Sequence, residues 1–546
     1  MDKVLLITGG IYHDFEAGRD ALTAILAETG RFEVTAVDDP GALKPDTLAG
    51  FDAVLLYINQ TVNAEQTKAL ADFVAGGKAL VGVHSAICRR ESPDAYLDLI
   101  GAEFTGHGPP LEFAVTIDDP DHDVTCRTPD FRIHDELYTS EFHGEPVQVL
   151  ASAHWQGRRQ PMVYVKPHGA GRVVGLLLGH DAQAMANRDF RRLLVHALDW
   201  AVGRDETREI GVGLIGYGPA FKMGKQHGSA ANATRGLRTV AACDINPACL
   251  ETARADFPGI ATYDTLEKML EDDDVNLCVI ILPHHLHGPV ALQCLKAGRH
   301  VALEKPFCLT VDEATAMIEA ARAGNLALTV YHNRRFDGDF LTIRRAIEAG
   351  LIGEVFQVHV SMCAFREPGT WWRSSKAISG GLLYDWGAHL IDWLLHFLPG
   401  KVEGVTGFLH KRRWWHVTNE DHGLAVMRFE GGRTGLLEMS SMAADNPFRW
   451  RILGTKGAIV SRDAKDIRLT TEIDGQSGAM QLNVHDGEHV RWYYNLAEHL
   501  LRGAPLEVTP EQARRVIAIL EATERSSETG AAEPVAFEDD FALKNP

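Results

Sequence analysis

None of the eight cysteines in this 546-residue chain stands in a Cys-x-x-Cys pair, which argues against a disulfide framework or a structural zinc site and suits a reducing cytoplasm. No stretch approaches the roughly 20 consecutive apolar residues needed to span a bilayer. Met1-Asp2-Lys3 leads directly into Val4-Leu5-Leu6-Ile7-Thr8-Gly9-Gly10, too short for a secretory core and better read as a first buried strand. Positive charge is scarce: 54 Lys and Arg stand against 74 Asp and Glu, a formal net charge of −20. The nearest approach to a basic patch is Lys411-Arg412-Arg413-Trp414-Trp415, which reads as a loop with a solvated face. Neither nucleic acid nor an anionic membrane is therefore expected as a partner. What remains, 45% hydrophobic and 23% charged, is the composition of a soluble globular protein too long for one core, and cytoplasmic placement is expected.

Three units are expected, at residues 1–205, 206–333 and 334–546. In the first, Val4–Ile7, Asp52–Tyr57 and Ala79–Val83 read as buried strands, while Ala64–Ala75 and Asp189–Val202 read as amphipathic helices. That alternation signifies an α/β fold with a parallel sheet covered on both faces. A polar, glycine-led stretch from Gly203 to Glu209 reads as the linker. The second unit repeats the rhythm, with strands at Val212–Ile215, Thr239–Cys243, Leu277–Leu282, His300–Leu303 and Ala327–Tyr331. Thr310 and Glu313 predict a capping box for a helix ending at Gly324-Asn325. After residue 350 the period changes to β runs at Val355–Met362, Gly423–Phe429, Thr434–Ser441, Trp450–Leu453 and Ile467–Ile473, with Gly431-Gly432 as a hairpin turn. This third unit is expected to be α+β with a mainly antiparallel sheet, closed by a helix that Thr509, Pro510 and Gln512 begin. The acidic, alanine-rich tail beyond Ser526 is expected to be partly disordered.

The run from Ile210 to Gly218 is an apolar strand entering a glycine turn. A pyrophosphate needs backbone N–H groups at a helix amino terminus and no side chain in the way, which such a turn supplies. Gly216 and Gly218 match the first two glycines of the dinucleotide fingerprint. Phe221 occupies the third position and Gly224 comes only later, so a longer turn is expected. Asp244 closes the next apolar strand 26 residues after Gly218, where a carboxylate accepts hydrogen bonds from the adenosine ribose diol. It would repel a 2′-phosphate, so NAD is expected rather than NADP. The alternative is a strand-end turn residue beside an ordinary β-α turn.

Four stretches carry a family resemblance: Gly213-Leu214-Ile215-Gly216-Tyr217-Gly218, Leu282-Pro283-His284-His285-Leu286-His287, Glu304-Lys305-Pro306 and Gly380–Asp392. In their order and spacing they resemble the Gfo/Idh/MocA family of sugar and cyclitol dehydrogenases over about residues 208–530. Oxidising a secondary alcohol requires a base beside the carbinol carbon as hydride leaves. Asp385 and His389, four apart, are expected on one face of a helix. His389 is the candidate base, and Asp385 either orients its ring or binds a neighbouring hydroxyl. The resemblance implies that Lys305 hydrogen-bonds the reacting oxygen and the ribose, that Trp372 and Arg373 line the substrate cleft, that Pro283, His287, Glu304 and Asn333 belong to the cofactor site, and that a cis peptide often lies near Pro306. For each the bland reading is a surface or packing residue.

The amino-terminal unit resembles the ThuA-like family, named for trehalose utilisation and related in fold to class I glutamine amidotransferases, a flavodoxin-like architecture. The matching residues are Gly9–Phe15, Gly82–Ala86, Gly106–Gly108, Asp135–Tyr138 and Gly179-His180. In the amidotransferase fold the strand-to-helix elbow carries a nucleophilic cysteine. Here His84 stands there, and Cys88 comes too late to replace it, so glutaminase chemistry is not expected. His13, His84, His107 and His180 each sit at a strand end or glycine turn and could converge with Glu136. They could ligate a metal, act as acid and base, or bind a sugar; imidazole and carboxylate suit zinc, yet the spacings match no compact metal motif.

These observations lead to an expected NAD-dependent dehydrogenase of a sugar, glycoside or cyclitol ring hydroxyl, fused to a domain that binds or processes the keto product. Two rivals stay open: a glycoside hydrolase or lyase that uses bound NAD transiently, and a sugar-sensing binding protein without turnover. The resemblance also implies a homodimer or tetramer formed through the open face of the carboxy-terminal sheet.

Overall fold

Consecutive side chains of the strands Ala53–Asn59 and Ala79–Val83 are buried on both faces, which only a sheet sandwiched between helices allows. In the computed structural model, which describes residues 1–205, 207–445 and 448–541, two compact units emerge. One is Met1–Arg208 with Leu501–Ala504; the other spans Glu209–Leu500 and resumes at Pro505.

The first unit is built on a nine-stranded sheet. Five strands, in the order Phe32–Val37, Asp2–Gly10, Ala53–Asn59, Ala79–Val83 and Gly171–Leu176, are parallel. Arg158–His168, Gln148–Trp155, Leu111–Ile117 and Phe131–Asp135 extend it antiparallel. Alternate residues feed two cores. Val4, Leu6, Leu55 and Val81 pack with the helices Phe15–Glu28 and Arg188–Ala201. Leu5, Ile7, Leu56 and Leu80 pack with Ala64–Ala75 and Asp94–Ile100 on the opposite face. Within the antiparallel extension Gln160–Lys166 and Leu150–Ala153 are again buried runs, whereas Leu111–Ile117 and Phe131–Asp135 alternate between buried and exposed residues.

In the second unit a six-stranded parallel sheet runs Ala261–Tyr263, Leu237–Cys243, Ile210–Ile215, Leu277–Ile280, His300–Leu303, Leu328–Val330. The order reverses at Ile210–Ile215, and the crevice beyond the carboxyl ends at such a reversal is where open α/β sheets bind ligands. The helix Val311–Gly324 is capped by Thr310, whose hydroxyl accepts the Glu313 N–H at 3.2 Å. The box is only half made, because the Glu313 carboxylate takes the Leu309 N–H instead, at 3.1 Å.

The remaining sheet has eight strands in the order Val402–His410, His422–Phe429, Thr434–Ser440, Val355–Cys363, Trp450–Gly454, Gly457–Ser461, Ile467–Ile473, Gln476–Gln481. All neighbours are antiparallel except Val355–Cys363 with Thr434–Ser440. Gly431 and Gly432 make the expected turn with φ of 76° and 78°. The helices Ala388–Phe397 and Pro510–Thr529 cover one face of this sheet. The opposite face is open, with Phe408 45% and Val460 36% exposed.

One expectation is corrected. The tail past Ser526 is tied down: the last helix runs to Thr529 with the full Thr509–Gln512 capping box, Glu533 exchanges backbone hydrogen bonds with Val405, and Glu538 forms a buried pair with Arg515 at 2.7 Å. Only residues 542–546 of it lie outside the described residues. Lys411–Trp415 is the expected loop, with Arg412, Arg413 and Trp415 exposed, and it folds around the fully buried Asp421, which accepts from the Arg412 and Arg413 N–H groups and from Lys411 Nζ. Burial favours protonation of that carboxyl, but Lys411 and the backbone donors outweigh it and hold its pKa at about 2.

Candidate active site

The glycine turn after Ile210–Ile215 shows why each glycine is needed. Gly216 has φ +92°, and a Cβ there would lie 2.4 Å from the Ile281 carbonyl oxygen. A Cβ on Gly218 would meet nothing within 4 Å, so its missing side chain leaves open space for a ligand. Phe221 and Lys222 then adopt φ of 57° and 54°, lengthening the turn before the helix Met223–Asn232 begins without a side-chain cap. Gly224 supplies the close packing expected of the third fingerprint glycine, since a Cβ there would sit 2.6 Å from the Tyr217 ring. A glycine cradle with clearance, facing uncapped helix N–H groups, fits the pyrophosphate of a dinucleotide.

The turn opens into a cleft of about 1000 Å³. Of the residues singled out in the sequence, Gly216, Gly218, Asp244, Pro283, Glu304, Lys305, Asn333, Trp372, Arg373 and His389 all line it. Asp244 Oδ2 accepts the Tyr217 N–H at 2.7 Å and Oδ1 accepts the Asn246 N–H at 2.8 Å, which fixes the carboxylate and leaves lone pairs for hydroxyl donors. His287 does not line the cleft. It is fully buried, with its ring nitrogens 2.7 and 2.8 Å from the Pro306 and Leu282 carbonyl oxygens, and so braces two cleft-lining segments. The Lys305-Pro306 peptide is cis.

Asp385 departs from the expected arrangement. Leu383–Gly387 forms a π-helical turn before the α-helix Ala388–Phe397, so the i,i+4 spacing of a regular helix does not apply. Asp385 makes no hydrogen bond to His389. Its Oδ1 instead accepts from Lys305 Nζ at 2.7 Å and from Arg373 at 2.8 Å. Burial would raise this carboxyl's pKa, yet Lys305 and then Arg373 overcome it and hold it at about 2. The Arg373 guanidinium also lies over Phe221, Trp372 and Trp371, 4.9, 5.1 and 5.4 Å from their centroids. Phe221, exposed in a left-handed turn, thereby becomes part of the cleft wall.

His389 is 4% exposed, with Nδ1 buried and unpartnered. Burial and the Lys305 charge keep its imidazole neutral, pushing its pKa well below the usual value. A residue not assigned from the sequence, His284, lines the same cleft. Its Nδ1 lies 2.8 Å from the Ser379 carbonyl oxygen, its Nε2 has no partner, and its ring meets Trp372 edge-on at 4.9 Å. Burial and then His287 push its pKa down to about 3. It belonged to the Pro283–His287 motif, but sequence could not separate its role from those of its two neighbouring histidines.

A second cluster lies at the carboxyl ends of the parallel strands of the first unit. His84 begins the turn after Ala79–Val83 with φ +44°, so the strained elbow of the amidotransferase fold is kept while presenting an imidazole. His13, His84, Glu136 and His180 come together there. His107, 45% exposed at its side chain, reaches Glu136 Oε1 at 2.8 Å from outside. Burial and then His84 and His180 push the His13 pKa down to about 3, and the Glu136 carboxylate, accepting from the His180 ring, raises that of His180. Tyr138, quoted in a motif but given no role, stacks on His84 at 3.9 Å and reaches His13 Nε2 at 3.4 Å. Asp135 clamps the loop by accepting the Gly179, His180 and Glu136 N–H groups.

Comparison with known proteins agrees with this partition. Residues 3–201 match the family described as trehalose utilisation (ThuA), residues 210–332 the oxidoreductase family with an NAD-binding Rossmann fold, and residues 340–460 the GFO/IDH/MocA C-terminal domain. The chain is 30% identical over 357 residues to scyllo-inositol 2-dehydrogenase (NADP(+)) IolW of Bacillus subtilis, covering 60% of this chain and 96% of that one. It is 25% identical to myo-inositol 2-dehydrogenase of Thermotoga maritima, over 50% of this chain and 81% of that one. Among solved structures, the putative oxidoreductase yvaA from Bacillus subtilis aligns with a TM-score of 0.56 at 27% identity, covering 61% of this chain and all of that one. With a glycine cradle, a lysine and a histidine in one cleft, and these matches along its length, the chain belongs to the Gfo/Idh/MocA family of nicotinamide-dependent oxidoreductases, carried behind an amino-terminal ThuA domain.

Proposed function

We propose that the second unit oxidises a ring hydroxyl of a cyclitol or sugar to the ketone with NAD, and that the first unit receives the keto product. The observation that carries the reading is the convergence of Lys305 and His389 in the cleft that the glycine cradle opens. Gly216, Gly218, Asp244, Asn333 and Lys305 would hold the nicotinamide cofactor, which when bound accepts hydride from the carbinol carbon. The neutral His389 imidazole receives the hydroxyl proton. Lys305, held by Asp385, donates a hydrogen bond to the same oxygen and stabilises the charge that develops on it. Arg373, stacked on Trp372 and anchored to Asp385, offers its remaining N–H donors to neighbouring hydroxyls. The relatives named as inositol dehydrogenases support this substrate class.

NAD is proposed over NADP because Asp244 and Asp264 both line the cleft, as does the exposed Ile245, while the lining cations are Lys305, Arg334 and Arg373. A 2′-phosphate would meet carboxylates there. Asp244→Ser should raise kcat/KM with NADP relative to NAD by about tenfold or more; an unchanged ratio would remove Asp244 from the ribose site. The deciding assay is NADH absorbance with inositols, monosaccharides and disaccharides, with product mass recorded in parallel. Net NADH with a product lighter by two hydrogens is the expected result. Cleavage without net NADH would replace it with transient redox catalysis, and no turnover with saturable sugar binding would replace it with a sensor.

A further inference from the structure

His13 Nδ1 is buried with no hydrogen-bond partner, and the buried His84 Nε2 and His180 Nδ1 face only the Glu136 carboxylate. Together with Glu136 each offers one ligand atom, all within 4.8 Å of one another. His84 Nε2 and His180 Nδ1 lie 3.5 and 3.1 Å from the same carboxylate oxygen, Glu136 Oε2. One carboxylate oxygen cannot satisfy three buried imidazole nitrogens, and leaving His13 Nδ1 unpartnered is costly; a cation at their centre would take one lone pair from each ligand atom.

The surroundings are those of an outer coordination shell. His84 Nδ1 faces the Leu177 carbonyl oxygen at 3.3 Å, which makes Nδ1 the protonated nitrogen and leaves Nε2 as the acceptor. His107 braces the second oxygen of Glu136, the Tyr138 hydroxyl meets His13 Nε2, and Asp135 fixes the backbone of both Glu136 and His180. Partners behind the ligands set tautomer and ring orientation in metal sites.

We propose that the first unit binds one divalent first-row transition metal ion of the zinc class through His13, His84, His180 and Glu136. Three imidazoles and a single carboxylate favour such an ion over calcium or magnesium, which take oxygen donors. Bonds of about 2.0–2.1 Å place tetrahedral ligand atoms roughly 3.3 Å apart, so binding draws the widest pair inward. His13 and His180 stay partly exposed, so the ion is reachable and can take a hydroxyl or carbonyl oxygen of a small polyol as an added ligand. The site stands whether or not the dehydrogenase reading holds.

The test uses the full chain stripped with a chelator and titrated with cobalt(II), followed by its visible d–d absorption and by zinc competition. One equivalent of cobalt, displaced by zinc, is expected. Glu136→Gln and His180→Asn should each weaken binding about 100-fold or more, His107→Ala about 10- to 100-fold, and the exposed His154→Ala should leave it unchanged. Zinc should also raise the melting temperature of the stripped wild type. If a ligand variant fails to fold, the wild-type stoichiometry decides alone. A wild type with no saturable site below a Kd of about 10 μM, or a site retained by both folded ligand variants, would show the cluster to be a metal-free imidazole–carboxylate network.

Discussion

Asp385 Oδ1 is shared by two cations, Lys305 and Arg373, so its charge is what allows them to stand side by side. Lys305→Ala or His389→Ala should lower kcat about 10²- to 10⁴-fold, with the NAD Kd of His389→Ala within about threefold of wild type; near-normal turnover in either would overturn the site. The depressed pKa of His389 gives a distinct signature. Its imidazole is already neutral at pH 6.5, so kcat/KM should stay level from pH 8 to below 6 rather than fall along an ordinary histidine limb. An acid limb centred near 6.5 that disappears in His389→Ala would contradict the burial argument.

At the scale of elements, the strand–turn–helix from Ile210 to Asn232 separates fold from function among its glycines. Gly218→Ala adds a methyl group to open space, so the melting temperature should hold while the NAD Kd rises about tenfold or more. Gly224→Ala drives a methyl group into the Tyr217 ring and should cost about 1–3 kcal/mol. Calorimetry with and without NAD distinguishes the two. Equal destabilisation by both would mean that Gly218 serves packing rather than clearance.

At the scale of the molecule, His284, His287, His332 and His389 are buried, and burial pushes the pKa of each below 6.5. Above pH 6.5 these groups are neutral in both folded and unfolded chains and contribute no pH dependence. Below it the unfolded chain takes up protons that the folded one refuses, so stability should fall as pH drops from 6.5 toward about 4, where His332 begins to titrate. Each contributes up to about 1.4 kcal/mol per pH unit. A melting temperature level across that range would refute the linkage. The open sheet face presents Phe408 beside the half-buried Leu424, Val426 and Leu436, a patch suited to a second copy of this chain. Light scattering should show a dimer or tetramer that Phe408→Glu with Leu436→Lys shifts toward monomer; a monomeric wild type would exclude this face as an interface. No helix among the described residues is long and apolar enough to cross a membrane.

Strands buried on both faces, such as Ala79–Val83, were legible as unbroken apolar runs, and the caps at Asn325 and Thr509 followed from local backbone chemistry. Glycine spacing, Asp244, the Glu304-Lys305-Pro306 tripeptide and the histidines of the first unit were legible too, because the demands of a strand end or a tight turn are local. The alternating strands Leu111–Ile117 and Phe131–Asp135 were not, since only one face of each is buried and the apolar run is broken at every second residue. Nor could spacing reveal that Asp385 turns to Lys305 and Arg373 instead of His389, because a π-turn breaks the helical period at that point. The sequence alone determined which side chains stand at strand ends and turns. Only tertiary structure decided which of them meet, through long-range pairing that brings Lys305 to Asp385 across 80 positions and His13 to Tyr138 across 125.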